Sequence, residues 1–238
     1  MTTAPIGSTA GEGSQGAAGT WLHNPATGEL GRVNVAAADT GGRRIETDLW
    51  LQPGAAVVGA HVHDSLIERF EVLEGEVGFQ VAGAERVLRS GEGEIEVSPG
   101  VVHDWWNAGH SLAHVRVAVE AVGPPGVPHA ERFGSLVEAL WSLGALGRVN
   151  SKGMPDPLWL AAIAHEYRDV TRFTRPPAFV QATLFPLLAA LARRTGRDPL
   201  APELHGHAAP CVIDEPSEGR FRALLERPVE ARAARRRG

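Results

Sequence analysis

Cysteine and lysine are almost missing from this sequence of 238 residues: each occurs once, as Cys211 and Lys152. A single cysteine excludes an intrachain disulfide, which fits a reducing compartment, so we expect a cytoplasmic protein. The net charge is -5, so the chain lacks the cationic excess typical of a general nucleic-acid binder. We therefore expect no nucleic-acid partner.

Long apolar runs are also missing. No stretch of about 18 consecutive apolar residues occurs, so we expect no membrane-spanning helix and no membrane partner. Residues 1–20 are rich in Gly, Ala, Ser and Thr, and they lack the basic start and apolar run of a signal peptide. We predict that this segment is disordered.

What is present between residues 21 and 122 is typical of β structure. Short apolar runs alternate with Gly, Pro, Asn and Asp, as in a sandwich or a small barrel. The predicted strands are residues 45–51, 56–63, 70–73, 77–81, 87–88, 94–97, 103–106 and 113–120. The predicted fold class is therefore an all-β core followed by a region of another kind.

The Pro-rich segment 123–128 interrupts the β pattern, and a helical pattern follows it over residues 129–204. Asp156-Pro157 is typical of a helix start, and a further helix is predicted from Pro177 to Arg194. Pro186 should kink this last helix or divide it. The helical region is too apolar to stand alone, so we expect it to cover the β core, a partner subunit or both. Residues 205–238 are predicted to be a poorly ordered tail.

A histidine pair and a glutamate form the first candidate site. His61 and His63 are two residues apart in a predicted strand, so both side chains point to the same face. Glu68 lies at the start of the next strand, placed to return to that face. Gly75 stands where the hairpin must turn sharply, a position that suits glycine.

A second segment supplies one more histidine. Pro99-Gly100 predicts a turn that directs His103 into the same interior. Three imidazoles and one carboxylate suit one divalent metal ion, whether Fe, Mn, Ni, Cu or Zn. The predicted cofactor is therefore a single ion of this group.

These residues resemble the two motifs of the cupin superfamily. The first is a glycine, HxH, glutamate and glycine, here Gly54, HVH at 61–63, Glu68 and Gly75. The second is a glycine, Pro-x-Gly, histidine and asparagine, here Gly93, SPGVVH at 98–103 and Asn107. Two turns depart from the pattern, because Ser98 stands at the family's proline and the spacing before His61 is one residue longer.

The resemblance implies an antiparallel jelly-roll (cupin) barrel that holds its metal inside on His61, His63, Glu68 and His103. It also implies a homodimer. The segments HNPATGE (23–29) and GMPDPLWLAAIAHEYRDV (153–170) are similar to a group of bacterial single-domain cupins with a helical C-terminal extension. Cupins include dioxygenases, isomerases, epimerases, cyclases and binding proteins, so the fold does not choose the activity.

Three further residues are candidates for contact with a substrate. Trp105 shares the face of His103, where it could line a pocket or pack the barrel wall. Phe70 has the same two interpretations. Asn107 could touch a substrate or hold a loop by hydrogen bonding.

The favoured function is a metal-dependent enzyme acting on a small organic molecule, with aromatic and polyketide-like compounds as candidate substrates, and within that class an oxygenase. An octahedral ion with four protein ligands keeps open positions for reactants, and Glu68 is the predicted catalytic proton acceptor. One alternative is a non-redox cyclase or isomerase. The other is a small-molecule-binding cupin without turnover.

Overall fold

The computed structural model describes residues 16–56, 59–123, 127–150 and 153–225. Most of the predicted N-terminal segment (1–15), part of the predicted linker (124–126) and the last thirteen residues of the predicted tail (226–238) lie outside these ranges.

Within the described ranges, ten strands precede the first α-helix. They are β1 (Trp21–Asn24), β2 (Glu29–Val35), β3 (Arg44–Leu51), β4 (His61–Val62), β5 (Leu66–Glu74), β6 (Glu76–Val81), β7 (Ala84–Arg89), β8 (Glu94–Val97), β9 (His103–Asn107) and β10 (Ala113–Ala121). Two short strands follow later in the chain, β11 (Arg172–Phe173) and β12 (Val212–Ile213). The strand predicted over residues 56–63 is shorter than expected, and residues 57–58 within it lie outside the described ranges.

The strands form two antiparallel sheets. The first has seven strands in the order β12-β1-β2-β3-β10-β5-β8, and the second has five in the order β11-β4-β9-β6-β7. This strand order follows from the strand pairings. For example, β10 pairs with β3 on one side and with β5 on the other. The predicted fold class, an antiparallel jelly-roll core followed by a helical region, is confirmed in this form.

Alternation along the strands decides what faces the interior. In β5 the buried residues are Leu66, Glu68, Phe70 and Val72, with more exposed residues between them. At the end of β5, Gly75 adopts a φ of 82°, and a Cβ there would lie 2.7 Å from the Leu112 carbonyl oxygen. A side chain at this turn would therefore clash, which explains the glycine that the motif places there.

The helices are α1 (His129–Ala145), α2 (Pro157–Glu166), α3 (Ala178–Arg194) and α4 (Glu218–Leu225). The predicted start of α2 is confirmed, because the Asp156 side chain accepts hydrogen bonds from the Leu158 and Trp159 amides. The predicted division of α3 does not occur, since the helix runs through Pro186 without a break. Proline deprives the Ala182 carbonyl of its partner, but Ala182 is exposed, so water can replace the lost donor.

Helix α1 packs on the core of the two sheets. Ala130, Leu136 and Leu143 of α1 belong to the same buried cluster as the inward residues of the sheets. Among the described helices, none is long and apolar enough to cross a bilayer.

The C-terminal part differs from the expected poorly ordered tail. Residues 205–225 include β12, which pairs with β1, and α4, whose Leu225 is buried against Trp21 and Leu30. Cys211 is also fully buried in this segment. The expectation failed because the apolar residues here are few and widely spaced, and their partners come from the first strands of the chain.

Candidate metal centre

The predicted ligand residues come together from three strands. His61 of β4 and His103 of β9 are direct partners in register, and their ring centroids lie 4.3 Å apart. His63 follows on the same face, with its ring centroid 4.9 Å from that of His61. Two neighbouring strands of the five-stranded sheet therefore place three imidazoles together.

Glu68 reaches the same point from β5, in the opposite sheet. Its Oε2 lies 2.7 Å from Nε2 of His103 and 3.5 Å from Nε2 of His63. All four residues are at most 5% exposed, and one ligand atom from each lies within 4.8 Å of the others. The structure thus brings the four predicted residues into one buried cluster that could hold a metal ion.

A hydrogen bond from Nδ1 to a backbone carbonyl orients each imidazole. The Nδ1 atoms of His61, His103 and His63 donate to the carbonyl oxygens of Gly59, Val101 and Val170, at 2.8, 3.1 and 2.6 Å. A carbonyl only accepts, so the proton of each neutral ring sits on Nδ1. Each Nε2 faces the centre and offers its lone pair there when the ring is neutral, as metal ligation requires.

Electrostatics favour the metal-binding ionisation states at two positions. Burial alone would raise the pKa of Glu68, but His63 and His103 hold it well below its usual range, so the carboxylate is charged. Burial is the main cause that lowers the pKa of His61 to about 3, so this ring is neutral at pH 7. At His63 the neighbouring Glu68 outweighs burial and raises the pKa, so this ring takes up a proton more readily than His61.

The donor set fits a borderline divalent ion. Three imidazole nitrogens and one carboxylate oxygen are the ligand types that such ions prefer. The buried Nε2 of His63 has no hydrogen-bond partner within the described part of the chain, and a bound ion would satisfy it. No cysteine joins the cluster, unlike many structural zinc sites.

A segment after α2 supports the cluster, and sequence reasoning did not find it. Besides the Val170 carbonyl, the Thr171 hydroxyl oxygen lies 3.1 Å from His63 Nδ1. Asp169, the residue before Val170, forms a two-pronged ion pair with Arg132 of α1 at 2.6 and 3.0 Å. No sequence signal marks a backbone carbonyl that accepts such a hydrogen bond, since any residue could supply it.

A cavity of about 130 Å³ opens beside the cluster. His61, Glu68 and Trp105 border it, together with inward residues of β3 and β10 and one face of α1. The lining is mainly aliphatic and aromatic. A substrate could therefore meet the candidate metal ligands inside a water-poor space.

The three residues predicted to contact a substrate have different surroundings. Trp105 is 4% exposed and lines the cavity. Phe70 is fully buried against Phe79 and Trp105, with ring centroids 5.3 and 5.2 Å away. Asn107 donates to the carbonyls of Leu51 and Ser111 and accepts from the Gly109 amide, which supports the loop-holding interpretation.

Comparisons with known proteins agree with the fold. Residues 49–119 match the family described as the cupin domain. Curated proteins give no match. Among solved structures, a predicted oxalate decarboxylase from Thermotoga maritima is 19% identical over 40% of this chain and 81% of its own, with a TM-score of 0.37.

Two further solved structures are similar at the same low level. A Cupin_2 domain of an XRE family transcriptional regulator from Enterobacter cloacae is 17% identical over 40% of this chain and 99% of its own, with a TM-score of 0.36. A sugar phosphate isomerase of the cupin superfamily from Silicibacter pomeroyi is 22% identical over 42% and 64%, with a TM-score of 0.35.

The match and the strand arrangement together define a cupin domain. Residues 49–119 therefore carry a domain of the cupin superfamily. The matched part contains all four residues of the cluster, whereas the segment with Val170 and the helices lies outside it.

Proposed function

We propose that the protein is a metal-dependent cupin enzyme that acts on a small organic molecule, and we favour an oxygenase. The observation that carries this proposal is the position of the cluster. Its His61 and Glu68 border an apolar cavity, so the candidate ligands are not enclosed as in a purely structural site.

His61, His63, Glu68 and His103 would hold the ion. A bound redox-active ion would supply Lewis acidity and the electron transfer that dioxygen chemistry needs. The carboxylate of Glu68 is ionised and borders the cavity, so it could accept a proton from a substrate hydroxyl group. Trp105 would form part of the wall that orients the substrate. The direct substrate contacts of Phe70 and Asn107 and the homodimer stay predictions.

Metal analysis is the first test. Protein purified without added metal should carry up to one divalent ion per chain. The variant His103→Ala should lose it, because the ring nitrogen nearest Glu68 is removed. The matched control is His114→Ala, since His114 stacks on Trp50 away from the cluster. Equal metal content in both variants would contradict the assignment of the site.

Dioxygen uptake with a library of small organic compounds is the second step. We expect uptake with Fe(II) or Mn(II) and none with Zn(II). Turnover that continues under argon and with zinc would contradict the oxygenase and indicate a non-redox cyclase or isomerase. Retention of an unaltered ligand in native mass spectrometry, without turnover under any metal, would instead indicate a carrier.

A further inference from the structure

The cavity beside the cluster is walled by α1, which lies outside the matched cupin domain. The apolar side chains that α1 contributes are Phe133, Leu136, Val137, Leu140 and Trp141. They face inward residues of the seven-stranded sheet, among them Leu49 and Val117. The shape and chemistry of the cavity thus depend on the helix as much as on the cupin strands.

The charged side chains of the cavity lining are carboxylates. Among the described residues that border the cavity, none is lysine or arginine, whereas Glu29, Glu68 and Glu138 are carboxylates. Arg132, which adjoins Phe133 in α1, is committed to an ion pair with Asp169. Away from the candidate metal ligands, an anionic group inside the cavity would lose its hydration without finding a side-chain cation.

The size of the cavity sets a second limit. Its volume is about 130 Å³. Cavities of about 150 Å³ lined by aliphatic and aromatic side chains stay dry and accept benzene. The space therefore suits a group of about one aromatic ring.

We propose that the cavity selects an uncharged, apolar small molecule with a body of about one ring, and that α1 sets this selectivity. The inference deepens the proposed function, on which it rests for the role of the cavity as the substrate site. Among the described residues of the cavity lining, no side chain would pair with a phosphate or sulfonate group, so only an ion held at the cluster could do so. Val137 and its neighbours on α1 are specificity-determining residues, because they form the wall opposite the sheet.

Binding to the full chain after removal of metal by a chelator tests this inference without activity. The probes are benzyl alcohol and benzyl phosphate, which share one body and differ in charge, titrated by calorimetry. We expect measurable binding of benzyl alcohol, and for benzyl phosphate an affinity weaker by at least about tenfold, because its charge has no partner. Tighter or equal binding of the phosphate, or no binding of either probe, would overturn the proposal.

Two variants connect the result to the cavity. Val137→Phe should fill part of the cavity and lower the affinity for benzyl alcohol by at least about tenfold. Val87→Phe should leave this affinity unchanged, because Val87 is exposed on β7. Thr47→Lys adds a cation to the lining and should reverse the preference between the probes. Unfolding curves confirm that each variant is folded. If Val137→Phe and Val87→Phe bind benzyl alcohol alike, the α1 wall is not the determinant.

A chain that binds the probes as expected but takes up no metal would refute the proposed function alone. Metal uptake without binding of benzyl alcohol would refute only the present inference.

Discussion

At the scale of single residues, acidic side chains are buried at several places in the described chain. One is the cluster around Glu68. Another is Glu138 of α1, which is 3% exposed and accepts hydrogen bonds from the backbone amides of Gly16 and Gly206. His205 places its Nδ1 3.6 Å from the Glu138 carboxylate. Glu138 therefore joins residues near both ends of the described chain to the first helix.

The pairing of His205 with Glu138 predicts a pH dependence of stability. Burial would lower the pKa of His205, but Glu138 and the Pro199 carbonyl outweigh it and raise the pKa above 6.5. A raised pKa in the folded state stabilises the protein fully below the unfolded value, and this contribution disappears as the pH rises through the folded value. We expect a loss of about 1 kcal/mol on going from about pH 6 to pH 9.

Urea unfolding across this pH range measures the effect. In His205→Gln the loss should be smaller, because the glutamine does not titrate, whereas His63 still does. His207→Gln is the matched control, since His207 is exposed in the same segment. The same pH slope in the native protein and in His205→Gln would contradict the assignment.

At the scale of elements, the short strand β11 and the residues before it act on the cluster from outside the cupin domain. β11 pairs with β4 so that Phe173 lies opposite His61. The preceding Val170 and Thr171 contact Nδ1 of His63. The helical region thus helps to orient one of the candidate ligands.

This arrangement predicts that Thr171→Val weakens metal binding. The substitution keeps the shape of the side chain but removes the hydroxyl group beside His63. Outer partners of metal-bound histidines typically change affinity by about 10–100-fold, and we expect the lower end because the Val170 carbonyl remains. Zinc titration against a competing chelator measures the change directly.

The control for that prediction is Thr174→Val. Thr174 lies just after β11, and its hydroxyl group donates to the Ala60 carbonyl rather than touching His63. Equal zinc affinity in both variants would show that the hydroxyl group of Thr171 has no effect on the site.

Sequence reasoning reached the cluster but not its surroundings, for a physical reason. His61 and His63 are predictable because strand alternation places residues i and i+2 on one face. The entry of His103 into the cluster depends on a local turn, and Pro99-Gly100 predicts that turn. The contact of Val170 with His63 joins residues 107 positions apart through a backbone carbonyl, so no residue type encodes it. The wall formed by α1 was expected only in general terms, because apolar spacing shows which face is buried and not what it is buried against.

At the scale of the whole molecule, the chain returns at its C-terminal side to its first strands. β12 extends the seven-stranded sheet by pairing with β1, with Trp21 opposite Ile213. Phe221 of α4 packs edge-on against Trp21 and Trp50, at centroid distances of 6.1 and 5.3 Å. The last described helix therefore closes the outer face of the sheet, and we expect the whole described fold to unfold as one unit.

The variant Leu225→Ala tests this closure. Leu225 is 7% exposed and packs with Trp21 and Leu30, so its truncation leaves a cavity beneath α4. We expect a loss of about 2–3 kcal/mol in the free energy of unfolding, measured by urea denaturation. Leu200→Ala is the matched control, because Leu200 is 48% exposed and should change stability by about 0.5 kcal/mol or less. If α4 were only loosely attached, both variants would have the same small effect. A large effect confined to Leu225→Ala, with one cooperative transition, would instead show that the C-terminal helix is part of the folded core.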